Sequence, residues 1–228
     1  MSKTIIIKHF ITKNELIIPE DDEFTPELKQ RWTNHEPSTN GKIITLLKNI
    51  NKLEKNFILD AGSHVGDTLL MISSYLTSKN INNTKVIGVE PDENKIKFIK
   101  KIIKLNNITN IQLYCNAISD KKGGYSINKS KKNSGAWTVY NDDNSNQYYV
   151  SIDEICNGKN MYLIHLDVEG YELKALNSGI NIMKIVDHII LEHYHIKDGL
   201  EHFQNVFHEN KFECQKLGGD VYFKNIHT

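Results

Sequence analysis

The chain has 228 residues, with 28 basic and 28 acidic side chains, a formal net charge of zero and a 39% apolar fraction. This length suits one α/β domain with a continuous core. The charge balance argues against tight non-specific binding to nucleic acid, which needs a cationic excess to release counterions.

Cys115, Cys156 and Cys214 are odd in number, far apart and without CxxC spacing. They read as reduced thiols rather than a disulfide frame or a zinc site. No apolar run approaches the length of a membrane span, and Thr4–Ile7 is too short for a signal sequence. The expectation is a soluble, cytoplasmic protein. Residues 1–55 are the least legible part and read as an extension packing on a core domain at 56–228. Ile5–Ile11 suggests a strand. Pro26–Trp32 suggests a helix with Thr25 as N-cap, and Ile43–Leu53 another helix.

From residue 56 the rhythm is regular. Phe57–Leu59 is an apolar run ending in Asp60 and a glycine-containing loop, followed by a helix with Leu69, Ile72 and Leu76 on one face. Lys85–Val89 is a second strand, ending at Glu90; Pro91, Asp92 and Glu93 suit the first turn of the next helix. Ile111–Tyr114 is a third strand. The polar stretch 119–150 holds short candidate strands at Tyr125–Ile127 and Tyr148–Ile152. Tyr162–Leu166 is a fourth strand ending at Asp167, followed by a helix at Tyr171–Leu176. Val186–Leu191 is a fifth strand ending at Glu192, and a helix is expected near 200–210. Phe212–Leu217 and Val221–Phe223 close the chain as a hairpin. The alternation implies an α/β fold with a parallel sheet and helices on both faces, to which the hairpin adds an antiparallel strand.

Ligands in such folds bind beyond the carboxyl ends of the strands, where Asp60, Glu90, Asn116, Asp167 and Glu192 stand. The loop after the first strand has glycines at Gly62 and Gly66. His64 occupies the position where a dinucleotide fingerprint needs its second glycine, so a pyrophosphate loses its close backbone approach. No Walker lysine is present. Glu90, about thirty residues after Asp60, is placed to accept hydrogen bonds from ribose hydroxyls. Acidic strand ends suit a ligand bearing an ammonium and a sulfonium better than one bearing phosphates. The alternative is that the glycines only shape a turn and Glu90 only caps a helix.

Four segments carry a family resemblance. They are Leu59–Gly66, Val89–Asp92, Asn116–Asp120 and His165–Leu176, the last with the core Asp167-Val168-Glu169-Gly170-Tyr171-Glu172; Ile189–Glu192 also matches. Across roughly residues 55–225 the chain resembles the FkbM-type methyltransferases, mostly O-methyltransferases of sugars and natural products. The resemblance implies a Rossmann-like class I methyltransferase with a seven-stranded, mostly parallel sheet into which the last strand inserts antiparallel. It implies S-adenosylmethionine as cofactor, with Asp60, Gly62, Ser63 and Gly66 along the methionine part and Glu90, followed by Pro91, at the ribose. Asn116 and Ala117 would flank the adenine, and Asp167 completes the cofactor set. The family usually has alanine and asparagine where this chain has Ser63 and His64. His64 either reaches the substrate side or is a tolerated loop residue, the second being preferred.

Methyl transfer to a hydroxyl needs positioning and a base for the proton. Asp167, Glu169 and His195 are the catalytic candidates, Asp167 first; the alternative for Glu169 is helix N-terminal electrostatics. Trp137, Glu192 and His193 are candidates for contact with the acceptor, Trp137 through its aromatic face. A divalent metal held by Asp167, Glu169, Glu192 and His195 is conceivable on chemical grounds but not favoured. Lys129, Lys131 and Lys132 read as a solvated run. The expected acceptor is a sugar or glycan hydroxyl, with no membrane partner and an open question of homo-oligomerisation. Competing readings are an RNA methyltransferase, a catalytically inactive binding protein and an NAD-dependent oxidoreductase, the last disfavoured by His64.

Overall fold

The structure is a computed structural model that describes residues 3–129, 137–192 and 212–226. The chain begins with an antiparallel hairpin of β1 (Thr4–Lys8) and β2 (Glu15–Pro19), followed by α1 (Thr25–Asn34) and α2 (Pro37–Lys48). Alternation along the hairpin puts Ile7, Leu16 and Ile18 inside, where they meet Phe24, Leu28 and Trp32 of the α1 region and Leu70 and Phe98 of the following domain. The N-terminal extension therefore shares a hydrophobic cluster with the core helices.

Next come β3 (Asn56–Ala61), α3 (Asp67–Ser78), β4 (Thr84–Val89), α4 (Glu93–Leu105) and β5 (Ile111–Tyr114). A small antiparallel pair, β6 (Tyr125–Asn128) with β7 (Thr138–Asn141), leads to α5 (Ile152–Cys156). The chain continues through β8 (Met161–Leu166), α6 (Glu172–Asn177), α7 (Ile180–Met183), β9 (His188–Glu192), β10 (Phe212–Leu217) and β11 (Asp220–Asn225). The main sheet has the order β10-β11-β9-β8-β3-β4-β5. The pairs among β3, β4, β5, β8 and β9 are parallel, whereas β11 inserts antiparallel beside β9.

All six residues of β8 are buried, as in a strand covered on both faces. Two apolar clusters flank the sheet. Leu59, Ile87, Ile164 and Ile189 belong to one, with the α5–α7 side. Ile58, Val86, Leu163 and Ile190 belong to the other, with α2 and α3. The period-two alternation of each strand thus feeds both cores. The strand order reverses between β3 and β8, and ligands in such folds bind at the carboxyl edge beside that switch point.

Several local expectations are corrected. Thr25 is the first residue of α1 rather than its cap, and its hydroxyl donates to the Pro19 carbonyl at 2.6 Å. The second helix starts at Pro37, which suits a first turn, and ends at Lys48. Asp92 caps α4 by accepting from the Asn94 and Lys95 amides. Residues 148–152 do not form a strand: Tyr148 and Val150 make isolated bridges, and Ser151 opens α5 with a capping box to Glu154. β2 and β7 were not anticipated. The helix expected near 200–210 lies outside the described residues.

Candidate active site

At the carboxyl edge of the sheet the turn after β3 is held by its own backbone. The Gly62 and Ser63 amides both donate to the Val89 carbonyl, at 2.9 and 3.0 Å, and the Asp167 amide donates to Ala61 at 3.0 Å. Gly62 has φ +83°, and a Cβ there would overlap the carbonyl oxygen of Asp167. Only glycine lets these two strand ends meet. Gly66, at φ +86°, sits at the N-terminus of α3 against Ile99 and Leu70.

A cleft opens above this junction. Gly62, Glu90, Pro91, Asn116, Ala117, Trp137, Asp167 and Glu169 all line it. Asp60, Ser63 and Gly66 do not; they lie beneath it. The Ser63 hydroxyl donates to the Asp60 carbonyl at 2.8 Å, and the Asp60 carboxylate meets the His165 ring at 2.7 Å. Glu192 lines a neighbouring cleft with Glu36, Thr39 and Asp220, near enough to Asp167 to act on it electrostatically. His193 and His195 lie outside the described residues, as does Ser134–Ala136.

Glu90 is 4% exposed, and its carboxylate accepts from the His64 and Asp92 amides, both at 3.0 Å. Burial raises its pKa to about 7, with Lys95, 3.8 Å away, pulling in the opposite direction. Each oxygen keeps lone-pair capacity beyond the one backbone amide it accepts. The Lys95 ammonium lies 4.3 Å from the centre of the Trp137 ring and that of Lys129 4.7 Å from it, while Lys129 pairs with Asp92 at 2.5 Å. Trp137 is therefore held by two cations in the cleft that Glu90 also lines. The Tyr171 hydroxyl donates to the Val139 carbonyl at 2.7 Å, tying the β6–β7 hairpin to the loop after β8.

Asp167 is pushed well above the usual carboxylate range, by burial first and by the Glu192 carboxylate second. Its Oδ1 is buried and has no hydrogen-bond partner among the described residues. An adenosine-type ligand with a positively charged tail fits this set: a carboxylate for ribose hydroxyls, a glycine junction without Cβ atoms, and an unsatisfied acceptor at the far end. Among the described residues no group of three or more histidine, cysteine or acidic side chains is arranged to hold a metal ion.

The Methyltransferase FkbM domain profile matches residues 60–216, well over half the chain. The chain belongs to the FkbM methyltransferase family. It is an S-adenosylmethionine-dependent methyltransferase. Its fold is similar to that of a methyltransferase from Geobacter sulfurreducens, at 10% identity and a TM-score of 0.52, over 92% of this chain and 93% of that one. It also aligns with an rRNA methylase from Streptococcus thermophilus, at 9% identity and a TM-score of 0.49, over 82% of this chain and 95% of that one. A third is the Pyrococcus abyssi tRNA (uracil-54, C5)-methyltransferase in complex with S-adenosyl-L-homocysteine. There the identity is 11% and the TM-score 0.49, over 98% of this chain and 44% of that one. No curated protein matches by sequence at a significant level. Among the described residues no helix is long and apolar enough to cross a membrane.

Sequence reasoning about this FkbM methyltransferase missed Arg31, Lys95 and Tyr171, which line the same cleft, and undervalued His64. The His64 ring nitrogen lies 2.6 Å from Glu27 of α1, and burial lowers its pKa. Arg31 and Glu27 come from the segment outside the family match. The available signal was the i,i+4 pairing of Glu27 with Arg31, which puts both on one face of α1.

Proposed function

We propose that this methyltransferase acts on a hydroxyl oxygen, and that its acceptor is a sugar or glycan-type molecule. S-adenosylmethionine, when bound, supplies a methyl group that passes to the acceptor oxygen as the carbon–sulfur bond breaks with its electron pair left on sulfur. The residues that would hold it are Glu90 at the ribose, the Gly62 loop at the methionine part, and Asn116 and Ala117 beside the adenine. Asp167 takes the acceptor's hydroxyl proton. The observation carrying this reading is the Asp167 carboxyl: it lines the cleft, its proton affinity is raised, and one oxygen has no hydrogen-bond partner among the described residues. A carboxylate with raised proton affinity is a stronger base than an exposed one. Glu169 lines the cleft beside it and steers the acceptor. The Trp137 face offers a sugar ring an apolar platform. The β6–β7 hairpin, tied down by Tyr171, limits water at the reacting oxygen.

The test is an acceptor panel of mono- and oligosaccharides against RNA, with methylated product read by mass spectrometry. Asp167→Asn is expected to lower turnover roughly 100-fold or more while S-adenosylhomocysteine binding stays. Methylated RNA with untouched sugars would move the reading to nucleic acid. Full turnover by Asp167→Asn would remove Asp167 as the base.

A further inference from the structure

The chain has 28 basic residues of the lysine and arginine type, and all but one are lysine; the exception is Arg31. Lysine serves wherever a point charge suffices, so the position holding the one planar five-donor fork merits a reason. Arg31 stands on α1, outside the family match, and lines the cofactor cleft.

Among the described residues, the fork is not saturated. Its Nη1 is 3.4 Å from Asp67 Oδ2 and its Nε is 3.5 Å from Glu27 Oε1, both longer than a good charge-assisted hydrogen bond. Nη1 also lies 2.6 Å from His35 Nε2. These contacts aim the guanidinium without saturating it, and they form no two-pronged pair with a carboxylate. Asp67 directly follows the Gly62–Gly66 loop and opens α3, so Arg31 stands at the loop end of the cleft, beside a helix N-terminus.

A methionine tail brings a carboxylate as well as an ammonium. At that end it would face Asp167 and Glu169, and the Glu36 carboxylate acts electrostatically on Asp167. A carboxylate needs a cation to settle there. Three described lining residues can carry positive charge. Lys95 is committed near Glu90 and Trp137, and the His64 ring is committed to Glu27 at 2.6 Å. Arg31 remains.

Resting on S-adenosylmethionine as the cofactor, we propose that Arg31, supplied by the N-terminal extension, binds the methionine carboxylate and so completes the cofactor site from outside the family domain.

The experiment is a calorimetric cycle on the full chain, titrating wild type and Arg31→Ala with S-adenosylmethionine and with decarboxylated S-adenosylmethionine, which keeps the ammonium and sulfonium. Wild type is expected to prefer the carboxylated ligand by roughly 10- to 100-fold, and Arg31→Ala to bind the two alike. Arg31→Lys, which keeps the charge but loses the fork, should retain part of the preference, and it carries the cycle if the alanine variant misfolds. A variant that keeps the full preference, or loses affinity for both ligands equally, would overturn the proposal. Folded wild type that binds neither ligand would sink the cofactor assignment, and this role with it.

Discussion

Asp60 and His165 face each other across the β3–β8 pair, register partners whose side chains meet with Oδ1 2.7 Å from Nδ1, both almost fully buried. Hydrogen bonding to Asp60 and its negative charge overcome burial and raise the imidazole pKa to about 10. A histidine raised above its unfolded value of about 6.5 contributes stability that is complete below that value and is lost as pH climbs through the folded one. The pair should therefore stabilise the fold fully near pH 6 and progressively less toward pH 10. His165→Ala leaves Asp60 buried without its cation and should cost about 3–5 kcal/mol at pH 6. Urea melts of both proteins at pH 6 and pH 10 check this; a cost that does not shrink at pH 10 would contradict a charged imidazole.

Glu90 carries the opposite sign. Burial raises its pKa to about 7, so the carboxylate proposed to accept from ribose hydroxyls is fully present only above that value. S-adenosylhomocysteine affinity should weaken as pH falls from 8 to 6. Glu90→Gln should bind about tenfold more weakly at pH 8, with little change across the range. Titration calorimetry at three pH values distinguishes the two profiles; parallel slopes would place the titrating group elsewhere.

The Gly62 junction predicts a backbone defect. Alanine there must hold φ +83° and displace the Asp167 carbonyl. The positive φ alone should cost about 1–3 kcal/mol, and pushing the β8 loop away should abolish cofactor binding even in protein that remains folded. Thermal melts with and without S-adenosylhomocysteine report both effects. A normal ligand-induced rise in Tm would mean that the loops do not need to touch.

Tyr171→Phe removes one hydroxyl, the one that donates to Val139. The loss should be about 1 kcal/mol, read as a roughly fivefold weaker cofactor affinity with a Tm close to wild type. An unchanged affinity would show that the β6–β7 hairpin is held without this bond.

The sheet and most of its helices were legible because their cause is local. A short continuous apolar run such as Tyr162–Leu166 declares a strand, and the Leu69, Ile72, Leu76 stripe declares a helix by its period. Glu90 and Asp167 were legible because a site in this architecture gathers at strand ends. The short elements were harder. β2, β7 and α7 are four to five residues each, too brief for a period to emerge, and are held by what they pack against.

By itself, then, the sequence determined the alternating α/β order, the glycine loop, and the acidic residues at the strand ends. It did so because side-chain period and backbone freedom are properties of neighbouring residues. Only the tertiary structure decided which of those acids face the cleft and which lie beneath it. Asp60 turns to His165, a partner 105 positions away, while Asp167 stays in the cleft with one oxygen unsatisfied. Only the tertiary structure brought α1 over the sheet edge and set Arg31 and Glu27 beside a loop more than thirty residues downstream. That placement comes from burying the β1–β2 hairpin and Trp32 against Leu70 and Phe98, a contact between distant segments that no local pattern encodes.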